Sequence, residues 1–204
     1  MKTVTLMALV PLLALSVFTA SAQDQGAAPP EGLPFVRDFD AQRYLGRWYE
    51  VARLPTRMQP AQTLAVAEYS AGKEAGRIGV KNTAFDVQGK KLAEIQGHAR
   101  LAEGDPPGRL LVAFGPVLPD VPNYQVMYVD KDYQYAVVGV PDRQSLWILA
   151  RTAPVGEEQL NSLKEVARKA GFDVSELIVA PWDRVAELPQ AERDDAAEPA
   201  KPSR

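Results

Sequence analysis

The stretch Gly46-Arg47-Trp48-Tyr49-Glu50-Val51-Ala52-Arg53 opens a series of short segments that have the composition of β-strands. Each segment is rich in Val, Tyr, Leu or Trp and is followed by turn-forming Gly, Pro or Asp, which is typical of antiparallel strands. The predicted strands are residues 47–54, 62–69, 77–85, 91–101, 109–114, 124–130, 133–140 and 145–152. Because closing the sheet removes its exposed edges, we expect an all-β fold, an eight-stranded antiparallel up-and-down β-barrel.

One segment after these strands has helical periodicity. Residues 157–170 place apolar side chains at three- and four-residue steps, namely Leu160, Leu163, Ala167 and Ala170. Acidic residues begin the segment, basic residues end it and Gly171 follows, as expected of a helix. The pattern predicts one C-terminal α-helix packed on the outside of the barrel, and residues 176–180 predict a short ninth strand.

The composition excludes several kinds of chemistry. The 204 residues include no cysteine, which excludes disulfides, thiolate metal sites and cysteine nucleophiles. A net charge of −3 does not favour nucleic acid as a partner.

The ends of the chain differ in composition from its middle. We expect residues 1–22 to be a signal peptide, because an apolar run is followed by Ala20-Ser21-Ala22. Residues 23–37 read as a flexible leader, residues 38–184 as the folded domain and residues 185–204 as a disordered tail.

Alternate residues of the late strands form an aromatic row. This row contains Tyr124, Val126, Tyr128, Tyr133, Tyr135, Val137, Trp147, Leu149 and Arg151. Aromatic rings with polar tips suit a cavity that offers a few hydrogen-bonding groups, but they also suit a solid aromatic core. The residues alone leave both interpretations open.

Three motifs in order resemble the lipocalin family. Gly46-Arg47-Trp48-Tyr49 is similar to its Gly-x-Trp-Tyr motif, Asp130-Lys131-Asp132-Tyr133 is similar to its middle turn, and the last strand ends in Arg151. Val140-Pro141-Asp142-Arg143 and Gly171-Phe172-Asp173-Val174 look like the bacterial lipocalin and apolipoprotein D branch. The resemblance covers about residues 39–182 and implies the barrel of a lipocalin calyx.

The resemblance also implies roles for individual residues. Gly46, Trp48, Tyr49 and Arg151 form the barrel closure motif, in which the arginine lies across the tryptophan ring. If Arg151 points inward, strand alternation predicts which residues line the calyx. These candidate ligand-binding residues are Ala65, Ala67, Tyr124, Val126, Tyr128, Tyr135, Val137, Trp147 and Leu149.

Lipocalin-like function implies a carrier rather than an enzyme. The expected ligand is a small hydrophobic molecule, such as a fatty acid, a lysophospholipid or another membrane lipid, and no catalytic residue, metal or cofactor is expected. Similar bacterial proteins are outer-membrane lipoproteins, whereas this chain has no cysteine to acylate. We therefore expect an exported protein, periplasmic or secreted and peripheral to the outer membrane, that contacts membranes transiently and exists as a monomer or homodimer.

Two other functions remain as alternatives. His98, the single histidine, could ligate a haem if it pointed inward, although Glu94, Gln96, His98 and Arg100 read as a solvated face. A small outer-membrane β-barrel would also have eight strands, but it would not end in an amphipathic helix. Basic residues near strand ends could meet a lipid head group, although ordinary solvated charges are the more common case; they are Arg53, Arg57, Lys73 and Lys90.

Overall fold

The computed structural model of the protein describes residues 32–57, 59–74, 76–102 and 107–185. The strands are β1 (Gly46–Arg53), β2 (Leu64–Ala71), β3 (Arg77–Phe85), β4 (Lys91–Leu101), β5 (Arg109–Ala113), β6 (Tyr124–Val129), β7 (Tyr135–Gly139), β8 (Leu146–Ala150) and β9 (Ile178–Val179). A one-turn helix, α1 (Ala41–Tyr44), precedes β1, and helix α2 (Glu157–Lys169) follows β8. Short 3-10 turns lie at Val174–Glu176 and Trp182–Arg184.

The first eight strands form a closed antiparallel ring. Each strand pairs with the next in sequence, and β1 pairs with both β8 and β2, which closes the barrel. The predicted up-and-down barrel with an additional strand and a C-terminal helix is confirmed.

Strand β9 continues one edge of β1. On this edge, Gly46 to Tyr49 pair with β2, whereas Ala52 and Arg53 pair with β9. The amide of Ala180 also donates to the carbonyl of Val51 at 3.0 Å. Strand β9 therefore occupies the part of the β1 edge that β2 leaves.

Two apolar clusters lie on opposite faces of the barrel wall. The inner cluster includes Trp48, Val80, Leu110, Val138 and Leu149. The outer cluster joins the apolar face of α2 to the outer sides of several strands; it includes Leu160, Leu163, Ala167, Val137 and Ile148. Burial on both sides explains why the strands do not alternate cleanly between apolar and polar residues.

The part of the leader that the structure describes is packed against the barrel. Leu33 is buried, and the amide of Val36 donates to the carbonyl of Val126 at 2.8 Å. Arg143 donates to the carbonyl of Gly32 at 2.9 Å. The expectation of a flexible leader is therefore wrong for residues 32–37, because Leu33 and Val36 add apolar contacts that the surrounding Gly and Pro conceal in the sequence.

The expected signal peptide, the rest of the leader and the tail from residue 186 onward lie outside the described residues. Among the helices that the structure describes, none has the length and apolar character needed to cross a bilayer.

Candidate functional site

The inner face of the barrel can be followed from strand to strand through the pairing. Trp48 pairs with Ala67, Ala67 with Asn82 and Asn82 with Ile95, and side chains directly opposite each other share a face. On the far side of the barrel, Trp147 pairs with Val138. The inner wall obtained in this way includes Ala65, Ala67, Val80, Ala99, Leu110, Tyr124, Val126, Ala136, Val138, Trp147 and Leu149.

The lumen is filled at one end and reached by solvent toward the other. At the end where β1 begins, Trp48 is fully buried. Ala67, Tyr124 and Trp147 also face inward but keep part of their surface accessible, and Ile95 is 43% exposed. The partial exposure of these inward-facing side chains indicates that solvent reaches the inside of the barrel from this end. The inside is therefore a calyx above an aromatic base.

Arg151 closes the base of the calyx. Its guanidinium lies 3.8 Å from the centroid of the Trp48 ring, in the range of a cation–π contact. Its nitrogen atoms donate to the carbonyls of Arg47 at 2.7 Å, Arg43 at 2.8 Å and Tyr133 at 3.2 Å. Gly46 has φ of +94°, and a Cβ there would lie 3.3 Å from Nη1 of Arg151. The structure thus brings together Gly46, Trp48 and Arg151 as the resemblance implies.

Tyr49 lies elsewhere. It alternates with Trp48 along β1 and therefore faces outward, where its ring meets the edge of Trp182 at 5.1 Å between centroids. Its expected part in barrel closure is corrected to a contact between the barrel wall and the C-terminal segment.

The prediction is wrong for three of the calyx residues, which lie on the outer face of the barrel wall. Tyr128, Tyr135 and Val137 belong to the outer cluster beneath α2. In β6 the register shifts between Val126 and Tyr128, so that the extra residue turns Tyr128 outward. In β7 the inward residues are Ala136 and Val138, because these oppose Leu149 and Trp147. The other predicted calyx residues, Ala65, Ala67, Tyr124, Val126, Trp147 and Leu149, lie on the inner face.

Three tyrosine hydroxyls meet near the base of the calyx. The hydroxyl of Tyr124 lies 2.9 Å from that of Tyr44 and 2.9 Å from that of Tyr69. Burial raises the pKa of each of these tyrosines, so the hydroxyls are neutral. Sequence reasoning missed Tyr44 and Tyr69, although Tyr69 continues the alternation of Ala65 and Ala67 along β2.

A buried ionic network lies at the other end of β1. Nε of Arg53 is 3.1 Å from Oε1 of Glu50, which also accepts from Nε2 of Gln59 at 2.8 Å. Arg53, 1% exposed, donates to the carbonyls of Gln59 at 2.9 Å and Pro60 at 2.7 Å. Burial raises the pKa of Glu50 to about 7, although Arg53 and Gln59 lower it. Arg53 is therefore neither a solvated charge nor a free partner for a head group, because it holds the loop between β1 and β2.

The alternative haem ligand does not face the calyx. His98 pairs with Gly79 and Ala113 and lies between inward-facing Gly97 and Ala99, so its side chain is on the outer face. The described residues contain no group of three or more His, Asp or Glu side chains that could hold a metal ion.

An apolar rim surrounds one side of the calyx mouth. It consists of Leu92 and Ile95 on β4 and of Phe114, Val117 and Val121 in the loop between β5 and β6. Strand β5 ends at Ala113 opposite His98, so the first part of β4 extends beyond it. Phe114 packs on this extension, since a Cβ at Gly97 would lie 2.8 Å from Cδ1 of Phe114. Five of the six large apolar side chains most exposed among the described residues belong to this rim.

Comparison with known proteins agrees with this architecture. The lipocalin-like domain family matches residues 39–182. The outer membrane lipoprotein Blc of Escherichia coli strain K12 is 36% identical over 151 residues, which cover 74% of this chain and 83% of that protein. Temperature-induced lipocalin-1 of Arabidopsis thaliana is 39% identical over 153 residues, covering 72% of this chain and 81% of that protein.

More distant proteins share the fold. Apolipoprotein D of Mus musculus is 28% identical over 181 residues, covering 85% of this chain and 93% of that protein. Insecticyanin from the tobacco hornworm Manduca sexta superimposes with a TM-score of 0.57 at 21% identity, covering 81% of this chain and 88% of that one. The chain therefore belongs to the lipocalin family, whose members bind small hydrophobic ligands, and within it to the branch of Blc and apolipoprotein D.

Proposed function

We propose that the protein binds one lipid molecule, a fatty acid, a lysophospholipid or a related membrane lipid, in its calyx and carries it within the cell envelope. The observation that carries this proposal is the accessible and mostly apolar lumen, in which Ala67, Tyr124 and Trp147 face inward and remain partly exposed.

The lumen suits an acyl chain on physical grounds. Transfer of a methylene group from water to an apolar wall gains about 0.8 kcal/mol, so a long chain is retained without any covalent step. The small side chains of Ala65 and Ala67 leave width on one wall, and the ring of Trp147 offers a broad apolar surface on another. These features favour a carrier rather than an enzyme.

The location is proposed from the sequence. Residues 1–22 have the pattern of an export signal, and the Escherichia coli relative is named an outer membrane lipoprotein. The 204 residues contain no cysteine, so no thiol is present for acylation. We therefore propose an exported protein, periplasmic or secreted and peripheral to the outer membrane. N-terminal sequencing of the purified mature protein should begin at Gln23.

A transient contact with membranes would be made through the apolar rim. Exposed apolar patches of this kind are typical of binding surfaces, and this one lies at the mouth through which a ligand must pass. Insertion of Val117 and Val121 into a lipid surface would bring the calyx to its ligand.

The carrier proposal is tested by filling the lumen. In Ala67→Phe the ring would occupy the space of at least about two methylenes, and this loss of at least about 1.6 kcal/mol should weaken fatty-acid binding by at least roughly tenfold. Binding is measured with a fluorescent fatty acid and by its displacement with lysophosphatidylcholine.

The matched control is Ala71→Phe. Ala71 lies on the same strand but is exposed at its end. This variant should bind as the unmodified protein does. Equal binding by both variants would contradict a ligand site in the lumen.

A further inference from the structure

An amide on the inner wall of the calyx points to a polar contact with the ligand. We infer that the side chain of Asn82 accepts a hydrogen bond from a hydroxyl group on the acyl chain of the ligand. This inference rests on the proposed lipid-binding function and adds the chemical class of lipid that the calyx prefers, a hydroxylated chain.

Strand pairing places Asn82 inside the barrel. On β3 it lies directly opposite Ala67 of β2 and Ile95 of β4, which both face the lumen. Side chains opposite each other on antiparallel strands point to the same side of the sheet. Asn82 and Ala67 are partly exposed and Ile95 is exposed, so a ligand in the calyx can reach this part of the wall.

The oxygen of this amide has no partner in the part of the chain that the structure describes. Oδ1 of Asn82 is buried, and no hydrogen-bond donor of the described residues reaches it. Buried polar atoms without a partner are rare in folded proteins, because each one has lost its hydrogen bonds to water and gained none. The packing of the fold alone therefore does not explain an asparagine at this position.

The side chains nearest to Asn82 on the wall cannot supply the bond. Val80 and Ala84, two residues before and after it on β3, share its face. Together with Ala67 and Ile95 opposite, they place apolar side chains on all four sides of the amide.

Other polar groups of the lumen already have partners. The buried ion pair at the end of β1 is completed by the side chain of Gln59. The hydroxyls of Tyr44, Tyr69 and Tyr124 hydrogen-bond with one another. These groups satisfy each other within the protein, whereas the amide of Asn82 is left for a ligand.

The surroundings favour an uncharged donor. An ammonium group beside these apolar side chains would exchange its hydration for a single neutral acceptor, which is unfavourable. A hydroxyl group needs only one acceptor, and it can also accept a bond from Nδ2 of the same amide. A plain acyl chain leaves Oδ1 unpaired. A chain that carries a hydroxyl group beside Asn82 should therefore bind more tightly than a plain chain.

The test uses fatty acids of one chain length that carry a single hydroxyl group at successive carbon atoms, together with the unsubstituted acid. Their affinities are measured by displacement of a fluorescent fatty acid. One hydroxyl position should bind about tenfold more tightly than the positions on either side, where the hydroxyl group is buried without a partner. Asn82→Leu, which has a similar branched shape and no polar atom, should abolish this preference.

The matched control is Asn123→Leu. The amide of Asn123 is exposed and already paired, since it accepts from the N–H of Val112 at 2.8 Å and donates to its carbonyl at 2.9 Å. This variant should keep the preference for one hydroxyl position. Without ligand, Asn123→Leu should lower the free energy of unfolding because it breaks two hydrogen bonds, whereas Asn82→Leu should not lower it because it removes an unpaired amide.

Nuclear magnetic resonance gives a second readout. The Nδ2 protons of Asn82, identified by their absence from the spectrum of Asn82→Leu, should shift when the preferred hydroxy acid replaces the unsubstituted acid. If Asn82→Leu does not fold, Asn82→Ala takes its place in every measurement, because it removes the same amide without adding volume.

The outcomes separate the two proposals. Equal binding of all hydroxyl positions by the unmodified protein, as expected if a water molecule is the permanent partner of Oδ1, would overturn the role of Asn82 and leave the carrier function intact. A preference that survives Asn82→Leu, or a loss of stability as large as that of Asn123→Leu, would overturn it as well. Failure of every acid to bind, the unsubstituted one included, would overturn the lipid-binding function together with the inference that rests on it.

Discussion

At the scale of single residues, Arg151 connects three separate segments of the chain through hydrogen bonds. Its guanidinium joins α1, the start of β1 and the turn between β6 and β7 through the carbonyls of Arg43, Arg47 and Tyr133. Burial lowers the pKa of Arg151 to about 10, so the group is still charged at neutral pH. Arginine is required here because a planar fork can serve three acceptors and an aromatic ring at once.

Arg151→Lys should therefore destabilise the barrel although it conserves the charge. A lysine can keep one of the three hydrogen bonds, and the loss of the others should lower the free energy of unfolding by about 2–4 kcal/mol. Urea unfolding followed by tryptophan fluorescence measures this difference.

The control is Arg168→Lys on the exposed face of α2. Arg168 pairs with Glu165 in a solvent-exposed contact at 2.7 Å, and its replacement should change the free energy of unfolding by at most about 0.5–1 kcal/mol. Similar losses in the two variants would contradict the special role of Arg151.

The sequence predicts some of these residues and conceals others. Trp48 and Arg151 are marked by motifs at fixed places on the first and last strands of the barrel. No motif identifies Arg53, because in the sequence a buried arginine at a strand end cannot be distinguished from a solvent-exposed one. Its burial depends on the loop between β1 and β2 folding back onto it, a tertiary contact that no local pattern reveals.

At the scale of elements, the loop between β1 and β2 is held from inside the barrel. Glu50 and Arg53 face the lumen opposite Leu149 and Trp147. They fix the loop through the side chain of Gln59 and the carbonyls of Gln59 and Pro60. The loop is thus attached to the wall by a carboxylate that burial makes hard to ionise.

This network should make stability depend on pH. The pKa of Glu50 is about 7 in the folded protein against an ordinary value of 4.5, so between these values the folded state binds the proton that the unfolded chain has lost. The contribution of Glu50 is fully present below pH 4.5 and is lost as the pH rises toward 7, by up to about 1.4 kcal/mol per pH unit.

Glu50→Gln isolates this effect, because an amide does not titrate. The free energy of unfolding is measured in urea between pH 4.5 and 7.5. As the pH rises to 7, this free energy should fall in the unmodified protein relative to Glu50→Gln. Parallel pH profiles for the two proteins would contradict the raised pKa.

The inner and outer faces of the strands could be predicted from the sequence for some strands and not for others. Alternation identifies the inner face of β8 correctly, but on β7 it fails because both rows are apolar. In the outer cluster Val137 is buried and Tyr135 is partly buried, while Ala136 and Val138 are buried in the lumen. The bulge after Val126 adds a second change of face that a period of two cannot represent.

At the scale of the whole molecule, the two ends of the barrel have opposite characters. The end at Trp48 is closed by packed rings and satisfied hydrogen bonds, whereas the mouth carries the apolar rim. The number of strands, their order and the presence of the outer helix could all be predicted from the sequence. Turn residues separate the strands, and only the helical segment has an apolar period near 3.6 residues. The openness of the lumen does not follow, because inward alanines and tryptophans read the same in a filled barrel.

The rim should bind lipid surfaces. Val117 is 78% exposed and lies with Val121 in the loop between β5 and β6, so inserting both would bury two apolar side chains. The double variant Val117→Asp/Val121→Asp should weaken binding to phosphatidylcholine vesicles at least about tenfold, since each valine contributes more than about 1 kcal/mol when buried.

Vesicle flotation measures this binding, with Val179→Asp as control. Val179 is 47% exposed but lies on β9, across the barrel from the rim. Its replacement should leave flotation unchanged, and an equal effect of both changes would argue against docking through the mouth.

Strand β9 also affects how readily the protein could aggregate through its sheet edge. Without it, the edge of β1 beyond Tyr49 would present unpaired amides and carbonyls, a template on which another chain could add a strand. Two residues of β9, together with the bonds from Ala180 to Val51 and from Trp182 to the carbonyl of Glu50, cover that edge. The C-terminal segment thus protects the barrel against edge-to-edge aggregation, and a chain shortened before Ile178 would expose this part of the β1 edge.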